Sequence, residues 1–100
     1  MTSDPPIPVD HILKSWPEPF TAVLDGVKRY EVRKADRDFK VGDVLYLREW
    51  LPAIGVYTGR AFAVRVTYMT SPGEFDLPTD VCVLGIADPD PRSIRRGGEP

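Results

Sequence analysis

The residues with the greatest capacity for chemistry in this 100-residue chain lie between positions 28 and 40, where the sequence reads KRYEVRKADRDFK. This segment holds six basic and three acidic side chains, although the net charge of the whole chain is −2. Arginine suits a polar binding site because its planar fork can hold a phosphate or a base edge with two hydrogen bonds. The alternative is a solvated strand and loop whose charges pair with one another, each exposed pair contributing about 0–1 kcal/mol.

Lys28, Glu31 and Arg33 are the central candidates within this segment. Apolar and charged residues alternate here, so Glu31 and Arg33 share one face of a predicted strand. The two side chains can pair with each other, or one of them can contact a ligand directly. A buried pair that orders a cleft and then meets a ligand would satisfy both interpretations.

Five further residues are candidates for ligand binding. His11 can donate to a phosphate or transfer a proton, or it can be a hydrogen-bonded structural histidine. Lys14 precedes a predicted helix N-terminus, which itself favours anions, and Trp16 can stack on a base. Arg37 either structures its loop or contacts the ligand, and Arg60 is available to the groove from the start of a strand.

A short helix over Trp16–Asp25 is the element predicted to stand beside this groove. Ser15 and Glu18 have the spacing of a capping box. One face of the helix is apolar, at Phe20, Val23 and Leu24. Gly26 can supply the left-handed conformation that ends the helix.

Five segments show the alternation or the apolar run of a β-strand: Val9–Leu13, Arg29–Arg33, Val44–Trp50, Ala61–Tyr68 and Val81–Ile86. In the fourth segment, large apolar side chains occupy alternate positions: Phe62, Val64, Val66 and Tyr68. The last segment is apolar nearly throughout, which is typical of a central strand. Together with one early helix, these strands predict a small α+β barrel or half-barrel.

Composition limits the classes of protein that this chain can represent. A single cysteine, Cys82, allows no intramolecular disulfide, and a single histidine, His11, argues against a zinc site. No apolar run reaches the roughly 18 residues that span a bilayer, and Met1–Asp10 lacks the pattern of a signal peptide. We therefore expect a cytoplasmic protein with no membrane partner, no metal and no cofactor.

Proline and charge define the expected domain boundaries. Residues 1–8 are predicted to be a flexible arm, and residues 9–87 the folded domain. Residues 88–100 contain almost no apolar side chain, so they are predicted to be a disordered tail.

An ordered series of motifs resembles the ASCH-like branch of the PUA superfamily. The series runs HILK at 11–14, PxxF at 17–20, GVKRYEVR at 26–33, DRDFxVGDVL at 36–45 and YTGR at 57–60. The resemblance covers about His11–Ala87. More narrowly, it is to a small bacterial and phage family whose function is uncharacterised. It implies a PUA-like β pseudobarrel of about five strands with one N-terminal helix beside a cleft.

The resemblance also implies a function, because members of the PUA superfamily mostly bind RNA and often read a modified or flipped-out base. We accordingly expect an RNA- or nucleotide-binding module whose partner is RNA or a modified nucleoside or nucleotide. Its cleft would be lined by Lys14, Lys28, Glu31, Arg33 and Arg37. Lysines and arginines would capture phosphate, and Glu31 would accept from an exocyclic amine of the base.

Two alternative functions stand beside this one. One ASCH relative is an amidohydrolase that removes the acetyl group from N4-acetylcytidine with a Gly-x-Lys lysine, a threonine three positions later and a distal glutamate. The lysine falls on Lys28, whereas Glu31 occupies the position of the threonine and Glu74 is a loose candidate for the distal glutamate. In such an enzyme Lys28 and Glu31 would be the catalytic pair. The other alternative is a protein-interaction module in which the groove is incidental.

Overall fold

The computed structural model describes residues 4–97, and within them the chain forms a six-stranded sheet and one α-helix. The helix, α1, spans Pro17–Leu24. The strands in chain order are β1 His11–Ser15, β2 Tyr30–Lys34, β3 Val44–Leu51, β4 Val56–Thr70, β5 Val81–Ile86 and β6 Arg95–Arg96. Short 3-10 turns cover Glu74–Asp76 and Pro91–Ser93. This content is that of a small α+β domain dominated by its sheet.

The long strand β4 organises the sheet. Its first part pairs with β3 and β6 and its last part pairs with β5, which gives the order β1-β3-β4-β5-β2 with β6 beside β4. The β1–β3 pair is parallel and the other pairs are antiparallel. The sheet is open, and β1 and β2 lie at its two ends. The predicted central position of β5, between β4 and β2, is confirmed.

The main core fills one side of this sheet. Phe20 and Val23 of α1 are buried against it, and the Phe20 ring lies 4.7 Å from that of Phe62 on β4. A second apolar cluster lies on Tyr46, Ala61 and Ala63, against which Ile7, Val9 and Val44 pack. Ile7 belongs to the segment predicted as a flexible arm; residues 1–3 of that segment lie outside the described residues.

The start of α1 differs from the prediction, whereas its end is confirmed. Ser15 is the buried last residue of β1, and Trp16 occupies the N-cap position without a side-chain capping bond, so the predicted capping box is wrong. Ser15 pairs in register with Glu49 of β3, and the parallel ladder therefore takes the residue that a cap would need. Gly26, with φ +79°, follows the helix in the left-handed conformation.

A β-bulge in β4 overturns the predicted orientation of Tyr68. Val66 pairs with Ile86 and Tyr68 pairs with Gly85, so two steps along β4 match one step along β5. A bulge redirects the side chains that follow it. Tyr68 is accordingly 68% exposed, and Met69 packs against the core in its place.

The structure differs from the predicted disordered tail over residues 88–97. Ser93 is fully buried, and its hydroxyl accepts from the backbone N–H of Ala63 at 2.7 Å and donates to the carbonyl of Asp90 at 2.7 Å. β6 then pairs with β4 at Arg60 and Ala61. These contacts are polar and backbone-mediated, so a composition poor in apolar residues does not reveal them. Residues 98–100 lie outside the described residues.

No helix among residues 4–97 has the length and apolar character to cross a bilayer.

Replacing Ser93 by alanine tests whether the C-terminal segment belongs to the folded domain. We expect Ser93→Ala to lower the free energy of unfolding by about 1–2 kcal/mol, because it leaves the buried Ala63 N–H without its acceptor. Urea denaturation measures the change. Ser71→Ala is the control, since the Ser71 hydroxyl makes no hydrogen bond within residues 4–97. Equal stability of the Ser93 variant and the wild-type protein would contradict this packing.

Candidate functional site

A cleft of about 330 Å³ lies between the two end strands of the sheet, beside the N-terminus of α1. One wall comes from β1 and α1, at Lys14, Ser15, Trp16 and Pro19. The other comes from β2 and the turn before it, at Lys28 and residues 30–33. The turn is fixed to the helix because the carbonyl of Ala22 accepts from the N–H groups of both Val27 and Lys28. The fold thereby brings together four of the five residues predicted to line the cleft, together with Trp16.

A buried carboxylate belongs to the lining of this cleft. Glu31 is 4% exposed, because the strand alternation turns it inward at the position that pairs with Leu84. Its Oε1 accepts from Nε of Arg33 at 3.1 Å and lies 2.9 Å from Nη2 of the same residue. Its Oε2 lies 3.4 Å from Nζ of Lys28. The predicted pair of Glu31 and Arg33 is present, and Lys28 makes it a triad.

The two cations of the triad also fix the backbone around the cleft. Arg33 Nη2 donates to the carbonyl of Lys14 at 2.8 Å, which links β2 to β1 across the opening of the sheet. Lys28 Nζ donates to the carbonyl of Tyr30 at 2.6 Å and lies 4.5 Å from the centroid of the Tyr30 ring. Among the described residues, one ammonium N–H of Lys28 and both N–H groups on Nη1 of Arg33 have no protein acceptor. These N–H groups are available to a ligand.

The rim of the cleft is aromatic and apolar. Trp16 is 60% exposed, and Tyr30 and Val32 are about half exposed. Lys14 lies at the rim with its Nζ 4.0 Å from the centroid of the Trp50 ring. Exposed aromatic rings beside partly buried cations suit a ligand that combines a planar ring with an anionic group.

Arg37 lies in a neighbouring cleft rather than in the first one. This second cleft, about 290 Å³ in volume, is lined by Leu13, residues 32–34, Asp36, Arg37 and Phe39. Val32 and Arg33 border both clefts. Arg37 is held weakly, with its Nε 3.5 Å from Asp36, so its position along the groove is compatible with contact to an extended ligand.

His11 lies outside both clefts, in a structural pair with Asp43. Its Nε2 donates to Oδ2 of Asp43 at 2.8 Å, and its ring meets the Phe39 ring edge-on at 4.7 Å. The same Asp43 oxygen accepts from the N–H of Lys40 at 2.9 Å. Burial acts to raise the pKa of Asp43, but these hydrogen bonds outweigh it and hold the pKa below its usual value. His11 therefore fixes the turn before β3.

Arg60, predicted to be available to the groove, is bound to Glu49 instead. Its Nε donates to Oε1 at 2.9 Å and its Nη2 to Oε2 at 3.1 Å, in the bidentate geometry typical of arginine and carboxylate. Thr58 donates to Glu49 at 2.7 Å, and Arg60 Nη2 also donates to Oγ1 of Thr21 on α1 at 3.1 Å. The hydrogen bond from Arg60 is the main reason why the pKa of Glu49 lies below its usual value. The signal for this buried pair was Glu49, a charged residue in the largely apolar strand β3.

Glu74 and a third cavity lie apart from these two clefts. Glu74, the candidate for a distal catalytic glutamate, is not among the residues that line either cleft, and its Oε1 accepts from the N–H of Ser71 at 2.6 Å. The third cavity, about 440 Å³, lies between Ile7, the start of β3 and residues 87–92. Its acids are paired: Arg92 holds the pKa of Asp90 at about 2, and Arg29 pairs with Asp88. Within residues 4–97, no three histidine, cysteine or acidic side chains are grouped so as to hold a metal ion.

Comparison with known proteins assigns the family. Residues 10–86 match the family described as "Domain of unknown function (DUF3850)", and the chain belongs to this family. It is also similar to a protein of Escherichia phage P2 described as "Uncharacterized 12.9 kDa protein in GpA 3'region", with 45% identity over 60 residues. That match covers 60% of this chain and 53% of the phage protein, so the chain spans about half the length of this curated relative. The family match includes every residue of the first cleft.

The pair of Glu49 and Arg60 predicts a specific dependence of stability on pH. Because the pKa of Glu49 is lower in the folded than in the unfolded state, its contribution is complete above about pH 4.5 and is lost as the pH falls through the folded-state pKa. We expect Glu49→Gln to lose about 2 kcal/mol at pH 7, where the wild-type carboxylate is paired. Between about pH 5 and pH 3, the unfolding free energy of the variant should then fall less steeply than that of the wild-type protein.

Chemical denaturation at a series of pH values measures this difference. Glu18→Gln, at an exposed position of α1, is the matched control and should keep the wild-type slope. If Glu49→Gln also keeps the wild-type slope, the pairing described here is not what stabilises the ionised carboxylate.

Proposed function

We propose that this domain is an RNA- or nucleotide-binding module of the PUA/ASCH-like type, with the ligand held in the cleft between β1 and β2. The observation that carries the proposal is the triad of Glu31, Lys28 and Arg33. It keeps two cations at fixed positions in a partly enclosed cleft, with N–H groups left for an anionic ligand.

The course of the sheet supports the finer assignment to a PUA-like pseudobarrel. β1 and β2 are the end strands of an open sheet, yet one arginine side chain reaches from one to the other. The sheet must therefore curl strongly, with the helix beside the gap. The order of motifs along the chain supports the same assignment. In this arrangement the cleft is the gap at which the barrel does not close. A side chain, rather than backbone hydrogen bonds between strands, links β1 and β2 across it.

The phosphate and the base of a nucleotide each have matching groups in the cleft. Phosphate oxygens can accept from Lys28 and from Nη1 of Arg33, with Lys14 close by at the rim. The Glu31 oxygen that faces Lys28 at 3.4 Å is the one suited to an exocyclic amine, such as N4 of cytosine or N6 of adenine. The exposed Trp16 ring can stack on the base.

The amidohydrolase alternative uses the same pair, since Lys28 Nζ and Glu31 Oε2 lie 3.4 Å apart. It requires an additional group to complete the chemistry, and Glu74 is bonded within its own turn. Binding therefore ranks first. Release of acetate from N4-acetylcytidine, followed by chromatography, is the assay that would reverse this ranking.

Fluorescence anisotropy with a labelled, mixed-sequence single-stranded RNA tests the binding function. We expect the logarithm of the binding constant to fall linearly with the logarithm of salt concentration, with a slope of about 0.7 per phosphate neutralised. Lys28→Ala and Arg33→Ala should each weaken binding by about tenfold or more, because a charge-assisted hydrogen bond contributes about 1.5–3 kcal/mol.

Lys40→Ala is the matched control for these variants. Lys40 belongs to the same charged segment, but it pairs with Asp38 and is 69% exposed, away from both clefts. Arg33→Lys keeps the charge if Arg33→Ala proves unstable, and circular dichroism verifies that each variant is folded. Affinity that is insensitive to Lys28 and Arg33, or that falls equally in the Lys40 variant, would show that this cleft is not the binding site.

A further inference from the structure

Two exposed tyrosines flank a glycine on the outward face of the sheet. Gly85 of β5 is the register partner of Tyr30 on β2 and also of Tyr68 on β4. The three residues therefore form one row across three neighbouring strands. Tyr30 is 48% exposed and Tyr68 is 68% exposed. We call this row the tyrosine row.

The spacing within the tyrosine row leaves room for one planar ring. Neighbouring strands lie about 4.8 Å apart, so the backbones at Tyr30 and Tyr68 are about 10 Å apart. Gly85 contributes no side chain between them, and the two rings make no contact with each other within residues 4–97. Stacked rings have centroids about 4.5–7 Å apart. A base inserted over Gly85 can therefore contact both tyrosines.

The β-bulge in β4 creates this row. Simple alternation would send Tyr68 into the core after Val64 and Val66, both of which are buried. The two-to-one register between β4 and β5 turns Tyr68 outward and aligns it with Gly85. Bulges often serve to redirect a side chain near a functional site. Tyr68 is therefore exposed because of the bulge and not because of the alternation of β4.

The tyrosine row is continuous with the cleft and has a favourable charge for a polyanion. Tyr30 is part of both, and the Lys28 ammonium lies 4.5 Å from its ring centroid. Lys34 lies further along β2 on the same outward face. Lys34 is the register partner of Val81, so it stands at the same end of β2 and β5 as the acidic loop between β4 and β5. A nucleic-acid strand leaving the cleft over Tyr30 therefore meets the Lys28 ammonium and the two tyrosine rings before it reaches that loop.

We propose that the tyrosine row stacks a base of a single-stranded oligonucleotide whose neighbouring nucleotide occupies the cleft. This inference rests on the proposed function and specifies its ligand class, an oligonucleotide rather than a mononucleotide. Stacking of bases on exposed aromatic side chains tolerates any sequence, because every base has a π-face. Selectivity, where it exists, would come from the cleft.

The test compares two probes, cytidine monophosphate and a mixed-sequence hexaribonucleotide, by titration calorimetry on the wild-type protein and on variants of Tyr68. The hexanucleotide should bind the wild-type protein more tightly than the mononucleotide. Tyr68→Ala should weaken hexanucleotide binding roughly 5- to 100-fold, leave mononucleotide binding unchanged, and be rescued by Tyr68→Phe. Phe75→Ala, at an aromatic residue 89% exposed in the acidic turn, should have no effect on either probe.

The amide signal of Gly85 provides a second measurement that is independent of any substitution. It should shift in NMR spectra when the hexanucleotide is added and stay in place with the mononucleotide. Hexanucleotide binding that depends on Lys28 but not on Tyr68, with a silent Gly85 amide, would overturn this inference and leave the proposed function intact. Failure of both probes to bind would overturn both.

Sedimentation analysis tests the competing occupant of this face, a second copy of the chain. If the wild-type protein self-associates, Tyr68→Ala makes it monomeric, and RNA affinity is unchanged, the tyrosine row is an interface between copies and the inference is overturned. A monomeric wild-type protein whose oligonucleotide affinity falls in Tyr68→Ala supports the inference.

Discussion

Burial of the Glu31 carboxylate is the constraint on which the candidate site depends. An ionised group that is 4% exposed must be compensated by charge and hydrogen bonds, and Arg33 and Lys28 supply both. Nη2 of Arg33, which also contacts Glu31, donates to the carbonyl of Lys14, and this hydrogen bond links the end strands β1 and β2. One buried acid thereby fixes two cations, the separation of β1 and β2, and the walls of the cleft.

The long strand β4 supplies the second constraint. Because it pairs with β3 along its first part and with β5 along its last, it carries the sheet around the core and brings β2 back towards β1. A bulge near Thr67 accompanies this change of partners, and it turns Tyr68 to the outside. The cleft and the tyrosine row both depend on the course of β4, and they meet at Tyr30.

Local patterns in the sequence predicted the structural features that depend only on residues close by in the chain. The end of α1 at Gly26, the extent of β5 and the shared face of Glu31 and Arg33 follow from periodicity and turn chemistry. Features that depend on distant partners were not predictable in this way. Ser15 pairs with Glu49 of β3, Arg60 is held by Glu49, and the orientation of Tyr68 is set by the register of β5. The segment around Ser93 is held to β4 by strand pairing and by the buried Ser93 hydroxyl, and neither contact can be read from composition.

A two-dimensional amide NMR titration with a short mixed-sequence single-stranded RNA at low salt tests the central claim most directly. The account predicts that the shifts concentrate at residues 14–16 and 28–33, around the Glu31 triad, and fade as salt is raised. Shifts that concentrate instead around residues 87–92, at the cavity of about 440 Å³, would place the ligand elsewhere. A titration without shifts would contradict a nucleic-acid function for this cleft.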